Sequence, residues 1–329
     1  MNDAPIDRTR RRIVLSAAGL AVLGSARAEA DWPTRPIRVV VPYASGGGAD
    51  AVARVLAKPL TSLLGQAIVV DNRAGANGNI GLGVVAKAAP DGYTLLMATG
   101  ATQSINPALY AKLPFDVARD FTPIGLVATG PHVLVVSPSK FPVTSYREFL
   151  ARARAASTLS YASSGVGSTA HLTAELWKDQ VHIGATHVPY RGTGPALTDV
   201  LGGQVDLMFC PIAAAVPFVQ SGTLRGLLVT SEARMPPLPD VPTSREVGLP
   251  DLLAELWYAL YGPANLAVDI QRKLVQATTK ALGDAEVRHA LDMQALVPLV
   301  PDPQKLASQQ VADLARWTRI VKATGTTVE

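Results

Sequence analysis

The sequence predicts an α/β fold in which parallel strands alternate with helices. Three observations carry this. Short apolar runs alternate along the chain with amphipathic stretches, the order that builds parallel α/β layers. Two of the runs break at glycine- and serine-rich corners just before a helical pattern opens: Tyr43-Ala44-Ser45-Gly46-Gly47-Gly48 and Ser163-Ser164-Gly165-Val166-Gly167-Ser168-Thr169. Hydrophobic residues make up 48% of the 329 positions and charged residues 17%, the balance of a compact globular chain, and the length points to two domains.

Ile37–Val41 reads as a buried strand. Ala49–Leu64 reads as a helix, because Val52, Val55, Leu56, Leu60, Leu63 and Leu64 recur at three- and four-residue spacing and Gly65 closes it. Pro59 should kink this helix, since it lacks an N–H and crowds the Val55 carbonyl. A strand over Ile68–Val70, a loop over 72–78 and a helix from about Ile80 to Ala88 follow. Pro90-Asp91-Gly92 is a turn into a strand over Tyr93–Ala98. Further strands are expected at Leu134–Val136, Leu159–Ala162, His187–Pro189, Val205–Phe209 and Leu224–Val229. Helices are expected at Ser145–Ala155, Ser168–Lys178 and Thr193–Leu201. The proline-rich stretch 236–242 reads as rigid and extended. The C-terminus reads as helical, capped by Asp302 with Pro303 at its first position, and Leu306, Leu314, Trp317 and Val321 mark its apolar face.

Residues 1–30 read as an export signal outside the fold. Thr9-Arg10-Arg11-Arg12 is a basic segment, and Ile13 to Gly24 is apolar but shorter than the roughly 20 residues a bilayer takes. Ala26-Arg27-Ala28 or Ala28-Glu29-Ala30 supplies a cleavage site. The arginine run loosely resembles a twin-arginine signal; an uncleaved membrane anchor is the alternative. No later segment has the length and apolarity of a membrane span, so a soluble protein outside the cytoplasm is expected. Removing the signal takes away five arginines and three acids, and the formal charge falls from +4 to +2. The pI of 9.2 is thus a poor argument for nucleic acid, which calls for a clustered basic face.

Cys210 is the only cysteine, which excludes an intramolecular disulfide and a cysteine-based metal cluster. The five histidines (132, 171, 182, 187, 289) show no metal-ligand spacing, and neither metal nor cofactor is expected. Both glycine-rich corners place bare backbone N–H groups at a helix N-terminus, where the dipole favours an anion. Facing one another from separate halves, they would grip the two ends of a small molecule. The same residues also serve as ordinary turn and capping residues. Gly46, Gly48 and Ala51, with Asp71 further on, fit the dinucleotide pattern G-x-G-x-x-A as well. Against that stand Asp50 in the first helical turn, where a pyrophosphate would sit, and the export signal. The absence of G-K-[ST] excludes a P-loop. Ser168 and His171 share a helix turn, but no G-x-S-x-G elbow surrounds a serine. Asp206 is a lone acid in an apolar run, suited to capping a turn or to a site. Arg191 is solvated or faces an anion, and Trp257 and Tyr258 belong to the core or line a cleft.

An ordered series of motifs carries a resemblance. It begins with Trp32-Pro33-x-Arg35-Pro36-Ile37, Val41-Pro42-Tyr43-x-x-Gly46-Gly47-Gly48-x-Asp50 and Asp71-Asn72-Arg73-x-Gly75-Ala76-x-Gly78-Asn79-Ile80-Gly81. It continues through Pro90-Asp91-Gly92-Tyr93-Thr94-Leu95-Leu96, Ile105-Asn106-Pro107-Ala108-Leu109-Tyr110 and Ser163-Ser164-Gly165-Val166-Gly167. His187-Val188-Pro189-Tyr190-x-Gly192, Pro195-Ala196-Leu197-Thr198-Asp199, Gly202 to Phe209 and Leu238-Pro239-Asp240-Val241-Pro242-Thr243 complete it. Together these resemble the Bug family, the substrate-binding proteins of tripartite tricarboxylate transporters, over essentially the whole mature chain. Cys210 and Gln103 depart from the residues common at those positions.

The resemblance implies a two-lobed periplasmic-binding-protein fold of the second type, with a ligand cleft between the lobes. One lobe would take residues 31–130 and 256–329, the other 131–255. It implies a periplasmic protein, exported with a cleaved signal, that binds a small carboxylated solute without chemistry. The partners would be the membrane permease subunits of such a transporter or a sensor protein. Carried over by position, the ligand contacts fall on Tyr43, Ser45, Gly46, Gly47, Gly48, Thr99, Ala101, Thr102 and Gln103 in one lobe. In the other they fall on Ser163, Ser164, Gly165, Gly167, Ser168, Thr169, Tyr190 and Asp206. Two competing classes remain: a secreted enzyme, which lacks a visible nucleophile–base pair, and a dinucleotide-binding oxidoreductase using the Gly46–Gly48 loop.

Overall fold

The computed structural model describes residues 32–326, so the expected export signal lies outside the described residues. All the elements below belong to the compact unit that begins at Arg35. β1 (Ile37–Val41), α1 (Gly48–Leu64), β2 (Ile68–Asn72), α2 (Asn79–Ala86) and β3 (Thr94–Thr99) come first. A π-type turn (Ala101–Ile105) and α3 (Asn106–Leu109) follow. β4 (Phe121–Val136) leads to α4 (Tyr146–Ala155), β5 (Ser160–Ser163), α5 (Thr169–Val181), β6 (Thr186–Pro189) and α6 (Thr193–Leu201). Then come β7 (Leu207–Pro211), α7 (Ile212–Gln220), β8 (Arg225–Val229) and β9 (Glu255–Pro263). α8 (Val268–Gly283), α9 (Ala285–Asp292), β10 (Val297–Pro298) and α10 (Pro303–Thr324) complete the chain.

The strands form one path, β2-β1-β3-β9-β4-β7-β5-β6, with β8 and β10 both paired to β4. The outer strands are parallel, as expected: β1 with β2 and β3, and β5 with β6 and β7. The middle is not: the parallel layering that the strand–helix alternation announces is interrupted there. β9 runs antiparallel to β3 and β4, and β4 antiparallel to β7 and β8. The reason is connectivity: β4 carries the chain outward and β9 brings it back alongside. The first half of β4 pairs with β9 and β10, and its second half with β7 and β8.

β4 corrects one expectation. It runs for 16 residues, where only Leu134–Val136 reads as strand in the sequence. Pro123, Gly125, Gly130 and Pro131 disguise the rest. The ladder to β9 shifts register between Pro123 and Gly125 and again between Leu126 and Ala128, which accommodates the proline that a regular ladder rejects. At Gly125 a side chain would collide with Pro301, so glycine there permits a close backbone approach. Further along, Val133 and Val135 enter one buried cluster and Leu134 and Val136 another, because both faces of the strand are covered.

As expected, α1 runs through Pro59 to Leu64, and Gly65 closes it in the left-handed conformation. One more local expectation changes. The 236–242 segment is not extended: Leu238 N–H bonds to Met235 O and Val241 N–H to Leu238 O, giving successive turns. At the C-terminus Asp302 accepts from the amides of Gln304 and Lys305, and Leu306, Trp317 and Val321 are buried. α10 is pinned to β9 by Trp257 Nε1 donating to Asp313 at 2.6 Å and Tyr261 hydroxyl donating to Gln310 at 3.1 Å.

Candidate functional site

The carboxyl ends of β1, β3 and β5 and the returning strand β9 surround one cavity of about 90 Å³. Ligands bind at such strand ends in open α/β sheets. Residues from both halves of the chain line it. Tyr43, Ser45, Gly47, Gly48, Thr99 and Ala101 come from one side and Ser164, Ser168 and Thr169 from the other, all of them expected from the sequence. No Lys, Arg, His, Asp or Glu lies on its wall among the described residues.

The 43–48 loop is built to leave amides bare. Gly47 is the N-cap of α1 and brings no side-chain acceptor, so the first-turn N–H groups are not capped from within. Asp50 fixes the loop from behind. Its carboxylate accepts from Gly46 N–H at 2.9 Å, Arg54 Nε at 2.9 Å and Asn72 Nδ2 at 3.0 Å. Burial opposes the Asp50 charge, but the hydrogen bonds from Arg54, Gly46 and Asn72 and the Arg54 charge outweigh it and hold the carboxyl below its ordinary range. The acid that argues against a pyrophosphate is thus a brace, neutralised in place. Asn72 also donates to Tyr43 O at 3.1 Å, and Tyr43 and Thr99 hydroxyls pair at 2.9 Å across the cavity floor. Burial pushes the Tyr43 phenol up to about 12, so it stays protonated.

The 163–169 loop is satisfied internally. Ser163 Oγ bonds Gly165 O at 3.0 Å and His187 Nε2 at 2.6 Å. Gly167 N–H donates to His171 Nδ1 at 3.0 Å, and Ser168 Oγ caps α5 by accepting from His171 N–H at 3.2 Å. Thr169 Oγ1 meets His132 Nε2 at 3.3 Å. His171 and His187 stack at 3.9 Å with rings 6° apart, over Tyr161. Burial holds the imidazoles of His132 and His171 down at about 4 and that of His187 at about 3, with the neighbouring His171 adding to the last. All three are neutral at pH 7, as the acceptor role of His171 Nδ1 requires.

Eight expected contacts do not reach the cavity wall. Gly46 spends its N–H on Asp50. Thr102 Oγ1 turns back to Thr99 O at 2.9 Å, and Gln103 is fully buried beside Gln310 of α10. Ser163, Gly165 and Gly167 form the underside of their loop; a side chain at Gly167 would strike Leu109, which packs against it from the other half. Tyr190 donates to Asp199. Asp206 lies at the amino end of β7, opposite the end that meets the cavity, and is held by Lys140 at 2.8 Å and by Ser160 N–H and Oγ at 2.7 and 2.8 Å. Asp71, the acid of the dinucleotide pattern, is paired with Arg38 and Arg73 outside the cavity.

The structure adds a corner. Gly192, Thr193, Gly194 and Pro195 bring the N-terminus of α6 to the wall. Its N-cap, Gly192, again supplies no side-chain acceptor. The strand–glycine–helix order of residues 186–201 was visible in the sequence and is the signal that finds it. Pro211, Leu256 and Tyr258 arrive from β7 and β9 and have no local signature. Tyr258 is both core and cleft: it is 1% exposed, and its hydroxyl lies where a Gly48 side chain would stand.

A two-lobed fold with a charge-free cavity at its strand ends defines a solute-binding protein of the periplasmic type. No helix among the described residues is long and apolar enough to cross a membrane. The family described as the tripartite tricarboxylate transporter family receptor matches residues 52–326, and the chain belongs to that family. It is 35% identical to protein BugT of Bordetella pertussis over 315 residues, covering 95% of each chain. Among solved structures, the periplasmic binding protein BugD superposes with a TM-score of 0.85 at 31% identity, covering 91% of this chain and all of that one. Rpa4515 of R. palustris, solved with adipate, superposes with a TM-score of 0.87 at 36% identity, covering 90% of this chain and 99% of that one.

Proposed function

We propose that this protein captures a small carboxylated solute in the periplasm, closes on it and releases it unaltered. The solute would be a di- or tricarboxylate, an acidic amino acid or an aromatic acid. The observation that carries this is the charge-free cavity onto which two glycine-capped helix N-termini, those of α1 and α6, both open. Such termini attract an anion through unpaired N–H groups and the helix dipole. Amide bonds to a carboxylate are charge-assisted and about twice as strong as neutral ones. The adipate in the related Rpa4515 supports the same class of ligand.

One lobe is assigned residues 31–130 and 256–329, and the other 131–255. The division is supported by β4, whose two halves pair with different partners near Gly130 and Pro131. Ligand contacts from both lobes favour the closed form by no more than their differential affinity for it. That form would dock on the permease subunits of a tripartite transporter, or on a sensor protein. The export signal at 1–30 would bring the chain to the periplasm and be cleaved there.

A thermal-shift and calorimetric panel of adipate, L-malate, L-aspartate, benzoate and NAD tests the proposal. A ligand at 100 times its dissociation constant adds about 2.7 kcal/mol, and a melting temperature higher by at least about 2–4 °C is expected with one of the acids. A response to none of the acids would overturn it, and a response to NAD alone would favour the dinucleotide reading.

A further inference from the structure

Buried tyrosines in this protein have partners, with one exception. Tyr146 hydroxyl accepts from Trp177, Tyr161 donates to Glu175 and Tyr261 donates to Gln310. Tyr258 is buried to the same degree, yet its hydroxyl makes no hydrogen bond to the described residues. Along β9 successive side chains alternate in direction. Trp257 and Tyr261 turn toward α10, whereas Tyr258 turns the other way, onto the cavity wall. Its oxygen rests against the Cα of Gly48, at the first turn of α1, where any side chain would collide with it. Burial raises the phenol above its ordinary value, so the hydroxyl keeps its proton and is a donor. No described residue accepts that proton, and the hydroxyl opens on the cavity, so its partner is whatever fills the cavity, water or ligand.

We infer that Tyr258 is a ligand-binding residue whose phenolic O–H donates to the same carboxylate that the first-turn amides of α1 receive. This rests on the carboxylate reading of the cavity. The first-turn amides can only donate, and the phenol has a proton to give. An anionic oxygen accepts from all of them at once, whereas the NH2 of a carboxamide would face the amides donor to donor. Tyr258 therefore adds affinity for the acid. Gly48 is glycine to let the phenol in.

The test is Tyr258→Phe, which keeps the ring and removes the oxygen. Wild type and variant are titrated calorimetrically with adipate, L-malate, L-aspartate and benzoate, and their ligand-free melting temperatures are compared. For each acid that wild type binds, the dissociation constant is expected to rise about 10- to 100-fold, the loss of one hydrogen bond to a charged group. The ligand-free melting temperature is expected to stay the same or rise, because no protein partner is lost. An unchanged dissociation constant overturns the inference. So does weaker binding with a lower ligand-free melting temperature, or a variant that fails to fold, since either shows that the hydroxyl serves the fold. If wild type binds none of the four acids, the carboxylate reading itself falls, and the role of Tyr258 with it.

Discussion

The 43–48 and 163–169 loops look alike as sequence, each a glycine- and serine-rich corner between a strand and a helix, but they are built on opposite plans. The first is braced from outside, by Asp50 and Asn72, and keeps its helix cap empty. The second is closed on itself: Ser168 caps α5, and His132, His171 and His187 take up the polar groups of Thr169, Gly167 and Ser163. A loop with empty donors binds, whereas a loop whose donors are spent presents a fixed wall. The difference lies in which partner atoms the fold brings up from behind, and loop composition alone does not reveal it.

Gly47→Asp strikes at the empty cap and should have the largest effect. Gly47 has φ −86° and ψ 170°, open to any residue, and the nearest atom to an added Cβ is Ala44 O at 3.7 Å. The new carboxylate would cap α1 itself and repel an anionic ligand. Binding should fall more than about 100-fold, since it loses its amides and gains a like charge; a melting temperature close to that of wild type would show the fold intact. Retained affinity would remove this loop from the site.

His171→Ala probes the closed loop and should act chiefly on stability. It leaves Gly167 N–H without its acceptor, at about 1–3 kcal/mol. A lower melting temperature with affinity reduced less than about tenfold is expected, since the first loop keeps its amides. An affinity loss matching that of Gly47→Asp would show the two loops to be equivalent after all.

Acid should act on the same loop. Imidazoles whose folded values lie near 3–4 against 6.5 unfolded take up protons more readily in the unfolded chain. Their stabilisation is complete above pH 6.5 and is lost as pH falls toward about 4. Glu175 and Lys178, which flank the stack, act on His171 and His187 in opposite directions. A melting temperature that declines from pH 6.5 to 4, and declines less in His171→Asn, is the expected profile. Asp206→Asn should have the smallest effect on binding. It weakens the tie to Lys140 and Ser160 and leaves affinity within about twofold, because the group lies at the far end of β7.

Much of this was legible where local chemistry decides. Ile37–Val41 and Thr193–Leu201 fall where periodicity places them, and Asp302 caps its helix. The corners at Gly47 and Ser168 could be read because strand, turn and helix are contiguous in the chain. The first thirteen residues of β4 were hidden, since Pro123, Gly125 and Pro131 are strand breakers unless a register shift and a close neighbour accommodate them. Tyr258 and Leu256 on β9 and Pro211 on β7 reach the cavity through strand pairing in the middle of the sheet, which no local pattern announces. The family resemblance supplied Thr99 and Ala101, which no local signal marks. It also nominated Asp206 and Gln103, whose surroundings in this chain are filled by Lys140 and Gln310.

The seat of Leu109 against Gly167 has a practical corollary. On the proposed closure of the two lobes, a bulky residue at 167 would act as a doorstop, holding the mouth ajar whatever is dissolved around it. Such a wedge-bearing protein would be a permanent counterfeit of the unladen receptor, and any downstream component that reads fullness from shape should pass it by.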